Sequence, residues 1–317
     1  MPPGEKLPLA DLRRRYVDQA RPLPQDVEAA LQADGRAAAK AILAAVEKRR
    51  RANRAEGQRL RHLFRFEQEV WQTGVTRIAG IDEAGMSPLA GPVVAGAVIL
   101  PVGWRETGVD DSKKLGPDER ARLAVLIKAN AVAFGIGIVS PEEIDRINIY
   151  RAGLLAMKRA VEALPVVPEH LFIDARKLRE IAIPQKSIVR GDTLSFSIAA
   201  ASILAKTARD AIMIDLDVEY PGYGFARHKG YPVPEHYAAL VRLGVCAIHR
   251  RSFGPVRRAL GLDLLQMEMF ATASAADGAW PETANAGGEL ENVENPGPTL
   301  PGPGLSFEIQ PADGEPT

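Results

Sequence analysis

The chain has 317 residues, of which 46% are hydrophobic and 25% charged, an ordinary composition for a water-soluble protein of one or two domains. Its apolar stretches fall well short of the roughly 18 residues that a membrane helix needs, and its N-terminus lacks the basic-then-apolar order of a signal peptide. The one cysteine, Cys246, cannot form an intramolecular disulfide. We therefore expect a cytoplasmic protein that does not associate with membranes.

The charge is unevenly distributed, although the basic and the acidic residues both total 40. Residues 262–317 contain ten Asp and Glu and neither Lys nor Arg, which leaves 40 basic and 30 acidic residues in 1–261. A body that carries an excess of basic charge favours a polyanionic partner such as nucleic acid. A solvated basic surface balanced by a solvated acidic tail would give the same pattern.

Residues 1–75 are predicted to form a basic helical extension. Ala, Leu, Glu and Arg dominate from Val27 to Trp71, and an apolar stripe can form there from Leu60, Leu63, Phe64 and Phe66. The pattern fits a helical hairpin packed on its neighbour, and it also fits an arm that contacts phosphates. The arginines that crowd this segment are Arg49, Arg50, Arg51, Arg54, Arg59 and Arg61.

Residues 76–262 alternate between strand and helix signals and are predicted to form the main domain. Ser140, Pro141 and Glu143 are typical of a helix start. Three early strands followed by helix–strand alternation predict an α/β fold, a mixed sheet with helices on both faces. The strand signals cover 76–81, 92–100, 131–139, 170–174 and 186–190, and the helix signals cover 118–130, 141–164 with a break near Asn148, and 194–217.

Residues 263–317 are rich in Pro, Gly, Ala and Glu and poor in aliphatic side chains from about residue 273 onward. Such a segment cannot bury enough apolar surface to offset its conformational entropy, so we expect a disordered acidic tail. Nothing in its sequence identifies a partner for it.

Acidic residues stand where strand signals end. The apolar run 78–81 leads into the adjacent carboxylates Asp82 and Glu83, and two later strand signals lead into Asp174 and Asp192. A single Asp at a strand end is usually a turn or cap residue. If the strands are neighbours, however, the four acids converge at one end of the sheet, and buried charges need a partner or a metal.

The residue types favour a hard divalent cation at this edge. Oxygen ligands without a Cys or His cluster select Mg²⁺ or Mn²⁺ over zinc. Two such ions can activate a water and stabilise the leaving oxygen of a phosphodiester. The four acids therefore predict a metal-dependent enzyme that acts on phosphates.

Several long strings resemble bacterial ribonuclease HII, the type 2 ribonuclease H family, over about residues 76–258. Residues 34–75 also resemble a helical extension that some bacterial members carry. The matching strings are Gly80-Ile81-Asp82-Glu83-Ala84-Gly85, Pro88-Leu89-Ala90-Gly91-Pro92-Val93, Asp111-Ser112-Lys113-Lys114-Leu115, Ile147-Asn148-Ile149, Gly191-Asp192, Ser195 through Lys206, Tyr223-Gly224-Phe225, His228-Lys229-Gly230-Tyr231 and His249-Arg250-Arg251-Ser252-Phe253.

The resemblance implies a ribonuclease H-like fold and cleavage of RNA in RNA–DNA hybrids. It also implies incision on the 5′ side of a ribonucleotide embedded in duplex DNA, with 3′-hydroxyl and 5′-phosphate products. Carried over position by position, it makes Asp82, Glu83, Asp174 and Asp192 both the metal ligands and the catalytic carboxylates. We expect a monomer.

The resemblance also suggests substrate-binding residues. Tyr231 matches a tyrosine that stacks on the deoxyribose after the ribonucleotide, although a half-buried turn aromatic would look the same. Lys113 and Lys114 would lie near the substrate backbone, or they could be a solvated pair. The remaining candidates are the junction loop Gly85, Met86 and Ser87 and the residue Arg190.

The chain departs from the family at the junction loop, where Gly-Arg-Gly is usual. Met86 removes a cation, and Ser87 adds a Cβ where glycine allows close backbone approach. This predicts altered junction specificity and leaves open a non-catalytic hybrid-binding protein; the extension and the tail could also dock other proteins. The other departures are Arg190 for Lys, Ala175 for Gly, Val233 for Thr and Gly153 for Thr.

Overall fold

The structure, a computed structural model, describes residues 8–262 and contains a five-stranded mixed sheet. The hydrogen-bonded order is β3-β2-β1-β4-β5, in which β1, β2 and β3 pair antiparallel while β4 and β5 run parallel to β1. The mixed α/β sheet expected from the sequence is confirmed. The strands are β1 (Ile78–Ala84), β2 (Val93–Ile99), β3 (Ala133–Val139), β4 (His170–Asp174) and β5 (Gln185–Ile188).

Helices precede the sheet and cover both of its faces. The π-helical turn Arg14–Asp18 extends the first helix, and the 3-10 turn Gly191–Thr193 precedes the eighth. The helices of the described part are α1 (Leu9–Arg13), α2 (Gln25–Ala33), α3 (Ala37–Leu63), α4 (Arg65–Trp71), α5 (Pro117–Asn130), α6 (Pro141–Ile147), α7 (Ile149–Glu162), α8 (Phe196–Glu219), α9 (Phe225–His228), α10 (Pro234–Leu243) and α11 (Gly254–Ala259).

The two faces of the sheet are buried under different helices because side chains alternate along each strand. On one face, Ala79 and Ile81 of β1 pack with Ala152 and Ala156 of α7. On the other face, Val98 of β2 packs in a cluster with side chains of α5 and α8. Alternate residues of β1 and β2 thus face α7 on one side of the sheet and α5 and α8 on the other.

Helix α8 comes exceptionally close to β1 at Gly80. A Cβ on Gly80 would lie 2.1 Å from the carbonyl carbon and oxygen of Ser197 and 2.6 Å from the nitrogen of Ile198. Glycine alone allows this approach, which places the first turn of α8 directly over the strand. Because Asp82 follows two residues later and Asp192 lies just before α8, the contact also fixes these two acids relative to each other.

The end of α3 and the start of α4 pack against the sheet domain. Leu60, Leu63 and Phe64 are buried, and the ring of Phe64 stacks on that of Phe196 with centroids 4.4 Å apart. Phe66 packs in a second cluster, beneath the sheet edge. The apolar stripe predicted from the sequence is therefore confirmed as packing surface.

A buried carboxylate also connects α4 to α8. Glu67 is fully buried and accepts hydrogen bonds from the Ser195 hydroxyl at 2.6 Å and from the Ser197 amide at 2.9 Å. The Ser195 side chain in turn accepts from the amide of Ile198 and so caps α8. Glu67 thus satisfies donors at the start of α8, which follows Asp192 by only a few residues.

Several arginines of α3 bind acids of the extension itself. Arg50 contacts Glu28 of α2 at 2.7 Å, and Arg59 contacts Glu56 at 2.7 Å. These pairs occupy guanidinium groups that a phosphate-contacting arm would need. Of the two interpretations, the structure favours the packed helical hairpin for these residues.

The sequence-based elements agree closely with the structure, except for the length of β1 and for the short helices that follow α8. The break in the second helix falls at Asn148, which has φ 69° and caps α7 by accepting from the Arg151 amide at 3.1 Å. However, β1 extends to Ala84, so Asp82 and Glu83 lie inside the strand, because pairing with β2 continues after pairing with β4 has ended. The short helices α9, α10 and α11 were not predicted.

The limits of the three predicted domains stay a prediction. The expected divisions at residues 75 and 262 are not tested by the contacts above, and the acidic tail, residues 263–317, lies outside the described residues. Within residues 8–262, no helix combines the length and the apolarity required to cross a membrane.

We predict that Gly80→Ala destabilises the fold by about 1–3 kcal/mol or more, because the new methyl group must displace backbone rather than a flexible side chain. Gly57→Ala is the matched control, since its Cβ would lie 3.8 Å from the nearest atom, the Arg61 Nη1, and alanine gains about 0.5–1 kcal/mol within a helix. Urea unfolding of both variants measures the difference. Equal stabilities would show that α8 does not depend on this close approach.

Candidate active site

The strand order brings the four sequence-predicted acids to one edge of the sheet. β1 and β4 run parallel as neighbours, as do β4 and β5, so their C-terminal ends lie side by side. Asp82 and Glu83 lie near the end of β1, Asp174 ends β4, and Asp192 follows β5 in the 3-10 turn. Asp82 is 5% exposed and Asp192 7%.

The alternation of side chains divides the acids between the two faces of the sheet. Asp82 lies on the same face as Gly80, beneath α8. Glu83 belongs to the opposite face, where its Oε1 lies 3.4 Å from Nη2 of Arg176. The edge of the sheet, beyond which no strand backbone intervenes, is where these carboxylates can approach one another.

Burial and mutual repulsion make this edge electrostatically unfavourable. Burial raises the pKa of Asp82 well above its ordinary 3.8, and the charges of Glu83 and Asp174 raise it further. Burial also raises the pKa of Glu83, which the Arg176 charge opposes, and that of Asp174, which the Gly191 amide opposes. A nearby cation would favour the ionised form of all of these groups.

Two backbone amides and one ammonium group offset this repulsion. The Gly191 amide donates to Asp174 Oδ1 at 2.7 Å, and the amide of Glu83 donates to Asp82 Oδ1 at 2.7 Å. Lys113 Nζ lies 3.5 Å from Asp192 Oδ2. Although burial lowers the pKa of Lys113, the charges of Asp192 and Asp82 outweigh that effect and raise it.

The donor set fits a hard divalent cation. All four side chains offer carboxylate oxygens, and Glu83 Oε2 is buried without a hydrogen-bond partner. No three His, Cys, Asp or Glu side chains in residues 8–262 already stand in an arrangement that would hold a metal ion. Asp82, Glu83, Asp174 and Asp192 are the residues that could hold such a cation.

Two buried arginines hold the predicted junction loop. Arg250 Nη2 donates to the carbonyl of Gly85 at 2.6 Å, its Nη1 to that of Met86 at 3.2 Å, and its Nε to that of Gly91 at 2.9 Å. Arg209 donates through Nε to the carbonyl of Pro92 at 3.0 Å. The loop carbonyls thus face the protein, which leaves the opposite side of the loop for a ligand.

The arginines also explain the conformation at Gly85. This residue has φ +93°, and a Cβ on it would lie 2.1 Å from Arg209 Nε. Burial, followed by the neighbouring charge of Arg209, lowers the pKa of Arg250 to about 9, which keeps the guanidinium charged at neutral pH. The loop shape therefore depends on glycine at position 85 and on two cations beneath it.

The two unusual loop residues, Met86 and Ser87, differ in burial. Met86 is half-buried, and a Cβ on Gly153 of α7 would lie 3.1 Å from its Sδ. The two departures from the family are thus complementary, because the missing side chain at Gly153 leaves room for Met86. Ser87 is exposed.

The other candidate substrate residues are not all at the acids. Lys113 contacts Asp192 as described, whereas Lys114 forms an exposed pair with Asp110 at 3.0 Å. Arg190 is exposed and has the left-handed φ of 56° just before Gly191. Tyr231 is half-buried, with Lys206 Nζ and Arg209 Cζ each 5.7 Å from its ring centroid.

Three histidines near Tyr231 have defined hydrogen-bonding roles. The Cys246 amide donates to His249 Nδ1 at 3.0 Å, so the proton of His249 resides on Nε2, which donates to His236 Nε2 at 3.1 Å. His236 Nδ1 then donates to the Tyr231 carbonyl at 3.0 Å. His228 uses both ring nitrogens on backbone groups. These histidines pack and position the Tyr231 turn.

Sequence reasoning missed Arg176, Arg209, Glu67 and Tyr150, whose aromatic ring lies next to Arg176. Arg209 lies on the buried face of α8 and is fully buried, as Glu67 is on the buried face of α4. A charge placed on the apolar stripe of a helix was the available signal for both residues. Arg176 and Tyr150 lie outside such a stripe, and only the fold places Arg176 Cζ 4.8 Å from the Tyr150 ring.

Comparisons with known proteins agree on one family. The model of the family described as Ribonuclease HII matches residues 79–256. A ribonuclease HII of Anaeromyxobacter sp. is 61% identical over 266 residues, which span 84% of this chain and 84% of the relative. A ribonuclease HII of Myxococcus xanthus is 57% identical over 277 residues, 85% of this chain and 94% of the relative.

A solved structure extends the likeness to the fold. The crystal structure of the ribonuclease H2 from Pyrococcus horikoshii superposes with a TM-score of 0.51 at 25% identity, over 58% of this chain and 96% of that one. The ribonuclease H-like fold expected from the sequence is therefore confirmed.

We predict that acid weakens the fold through His249. Burial lowers its pKa from 6.5 to about 4, so the unfolded chain binds the proton more tightly and the free energy of unfolding falls as the pH drops from about 6.5 to 4. His249→Gln can still accept from Cys246 and donate to His236, and its stability should depend less on pH. Urea unfolding across this range measures the difference. Parallel curves for the two proteins would contradict it; exposed His62, as His62→Gln, is the matched control.

Proposed function

Because the chain belongs to the ribonuclease HII family of metal-dependent endoribonucleases, we propose that it cuts RNA in RNA–DNA hybrids and incises duplex DNA on the 5′ side of embedded ribonucleotides. The observation that carries the proposal is the convergence of Asp82, Glu83, Asp174 and Asp192 at the edge of the sheet. We also propose that the protein acts as a cytoplasmic monomer on these nucleic acids.

Asp82, Glu83, Asp174 and Asp192 would hold Mg²⁺ or Mn²⁺ at this edge. Such ions, when bound, supply an activated water and a counter-charge for the leaving oxygen. The protein's own contribution is to position Asp82 and Asp192 relative to each other through the packing of α8 on Gly80. Attack by water on the 5′ side of the ribonucleotide gives 3′-hydroxyl and 5′-phosphate ends.

The chain also supplies groups that suit the nucleic acid. Lys113 lies at the acidic edge with its side chain 75% exposed, so it can contact a phosphate while it offsets the charge of Asp192. The Tyr231 turn is held by the histidines, which suits a ring that stacks on a sugar. The loop with Gly85 is held from beneath by Arg250, so its backbone is fixed in shape before a ligand binds.

A non-catalytic hybrid-binding protein is the less favoured alternative. Buried carboxylates repel the phosphates that such a protein must attract, and their burial raises the pKa of Asp82 and Glu83 at a cost to the fold. Catalysis gives these four acids a role that binding alone does not.

The junction loop bears on substrate preference rather than on the chemistry. Met86 fills the space at Gly153 with apolar atoms, so no cation extends from this position of the loop. We propose that incision at a single embedded ribonucleotide is weak relative to cleavage of long hybrids, where many 2′-hydroxyl and phosphate contacts can replace one junction contact.

Replacement of one carboxylate tests the metal site. Asp82→Asn should lower hybrid cleavage in Mg²⁺ by more than the roughly 100-fold that loss of a metal's outer-shell partner costs, because a neutral amide binds hard cations poorly. The fold should persist, since the amide relieves charge repulsion. Exposed Asp118, changed to Asn, is the matched control and should retain full activity. Substantial activity of Asp82→Asn would remove this residue from the active site.

Restoration of the usual loop tests the junction preference. Met86→Arg combined with Ser87→Gly should raise nicking of a single ribonucleotide relative to hybrid cleavage by about tenfold or more, because a hydrogen bond to a charged group contributes about 1.5–3 kcal/mol. Parallel rate measurements on the two substrates give the ratio. If the ratio does not change, the loop backbone alone reads the junction.

A further inference from the structure

Arg176 lies at the acidic edge in a position that its contact with Glu83 does not fully explain. Its Nη2 lies 3.4 Å from Glu83 Oε1, at the long limit of a hydrogen bond. Its Nη1 is buried and has no hydrogen-bond partner, and the side chain as a whole is only 16% exposed. A guanidinium carries five N–H donors in a fixed fork. The structure thus leaves a donor of Arg176 without an acceptor next to the carboxylates.

The surroundings hold the Arg176 guanidinium in place. Its Cζ lies 4.8 Å from the centroid of the Tyr150 ring, in the range of a cation–π contact. A Cβ on Gly153 would lie 3.7 Å from the same Cζ, so α7 approaches it from below, next to Met86. Tyr150 itself is 60% exposed. The guanidinium is therefore positioned between a solvent-facing aromatic ring and Glu83, beside the junction loop.

Arg176 is positively charged, so it cannot itself be a ligand of a metal ion at this site. It stabilises the ionised forms of Glu83 and Asp174, but a cation at this distance repels any divalent ion bound to the same acids. An anionic oxygen placed between the Arg176 guanidinium and the divalent ion would attract both of them. A planar fork suits the oxygens of a phosphate.

We propose that Arg176 is a substrate-binding residue that donates to a phosphate oxygen of the strand to be cut. Lys113 contacts Asp192, so two cations then flank the acids, Lys113 at Asp192 and Arg176 at Glu83. On the Arg176 side, the loop residue Met86 carries no charge, so the loop side chain itself supplies no cation there. The inference rests on the proposed function, because it requires a nucleic acid strand at the acidic edge.

The alternative is that Arg176 only neutralises Glu83. The two roles differ in what removal of the guanidinium does to nucleic-acid binding and to the salt dependence of that binding. Loss of a phosphate contact weakens nucleic-acid binding and lowers its salt dependence, because fewer counterions are released. Loss of a cation that only neutralises Glu83 removes no phosphate contact, so its effect on both should be no larger than the loss of another lysine or arginine charge nearby. In either case, the free protein without the guanidinium should bind a divalent ion at least as tightly as the unaltered chain does, at a pH where the acids are ionised.

The test compares Arg176→Met with Lys177→Met, an exposed residue of the same loop that loses the same charge. Binding of a fluorescent RNA–DNA hybrid is measured at pH 8 in Ca²⁺ over a range of salt concentrations. We expect Arg176→Met to weaken binding at low salt by about tenfold or more and to lower the slope of log K against log salt by about 0.9. Arg176→Lys should keep the slope and recover only part of the affinity.

A second measurement, Mn²⁺ titration of the free protein by calorimetry, separates this role from misfolding. Arg176→Met should bind Mn²⁺ at least as tightly as the unaltered chain, whereas a disrupted acidic edge would bind it more weakly. An unchanged salt slope, or a loss of affinity no larger than that of Lys177→Met, overturns the inference. If the unaltered chain binds the hybrid no better than duplex DNA and does not cut it, the proposed function itself is contradicted.

Discussion

Repulsion among four carboxylates is the constraint around which this structure is arranged. Burial raises the pKa of Asp82 and Glu83, and each acid makes ionisation of its neighbours harder. Such an edge persists only if surrounding elements hold the acids in place and supply compensating charge. Helix α8, pressed against Gly80, supplies the first of these, and the cations Lys113 and Arg176 supply much of the second.

The substrate-facing parts are held by polar groups that lie beneath them. Arg250 donates to a carbonyl of the junction loop and Arg209 to the carbonyl of Pro92, immediately before the next strand. The histidine chain from His249 through His236 donates to the Tyr231 carbonyl. These groups are buried and satisfied mainly by backbone acceptors, which makes the loop and the turn rigid without the use of metal or disulfide. Rigid supports of this kind allow a backbone to recognise a ligand with little loss of conformational entropy.

The sheet and its acidic edge could be predicted from the sequence because they depend on local signals. Alternating apolar runs, the cap at Ser140 and acids at strand ends are all visible in short windows. The roles of Arg176 and Gly153 could not be predicted in this way, since they depend on contacts between the loop after β4, the junction loop and α7, which are remote in sequence. The strand that carries Asp82 was predicted too short for the same reason, because its last residues pair only with β2.

The most direct test of the account is the chemistry of the cut ends. The protein is incubated in Mg²⁺ with an RNA–DNA hybrid, with duplex DNA that contains one ribonucleotide, and with all-DNA duplex. If the four acids direct a water to the phosphodiester, the RNA-containing strands are cut to 3′-hydroxyl and 5′-phosphate ends, and the all-DNA duplex is left intact. Products with 2′,3′-cyclic phosphate ends would show that the ribose hydroxyl is the nucleophile, and this result would contradict the account.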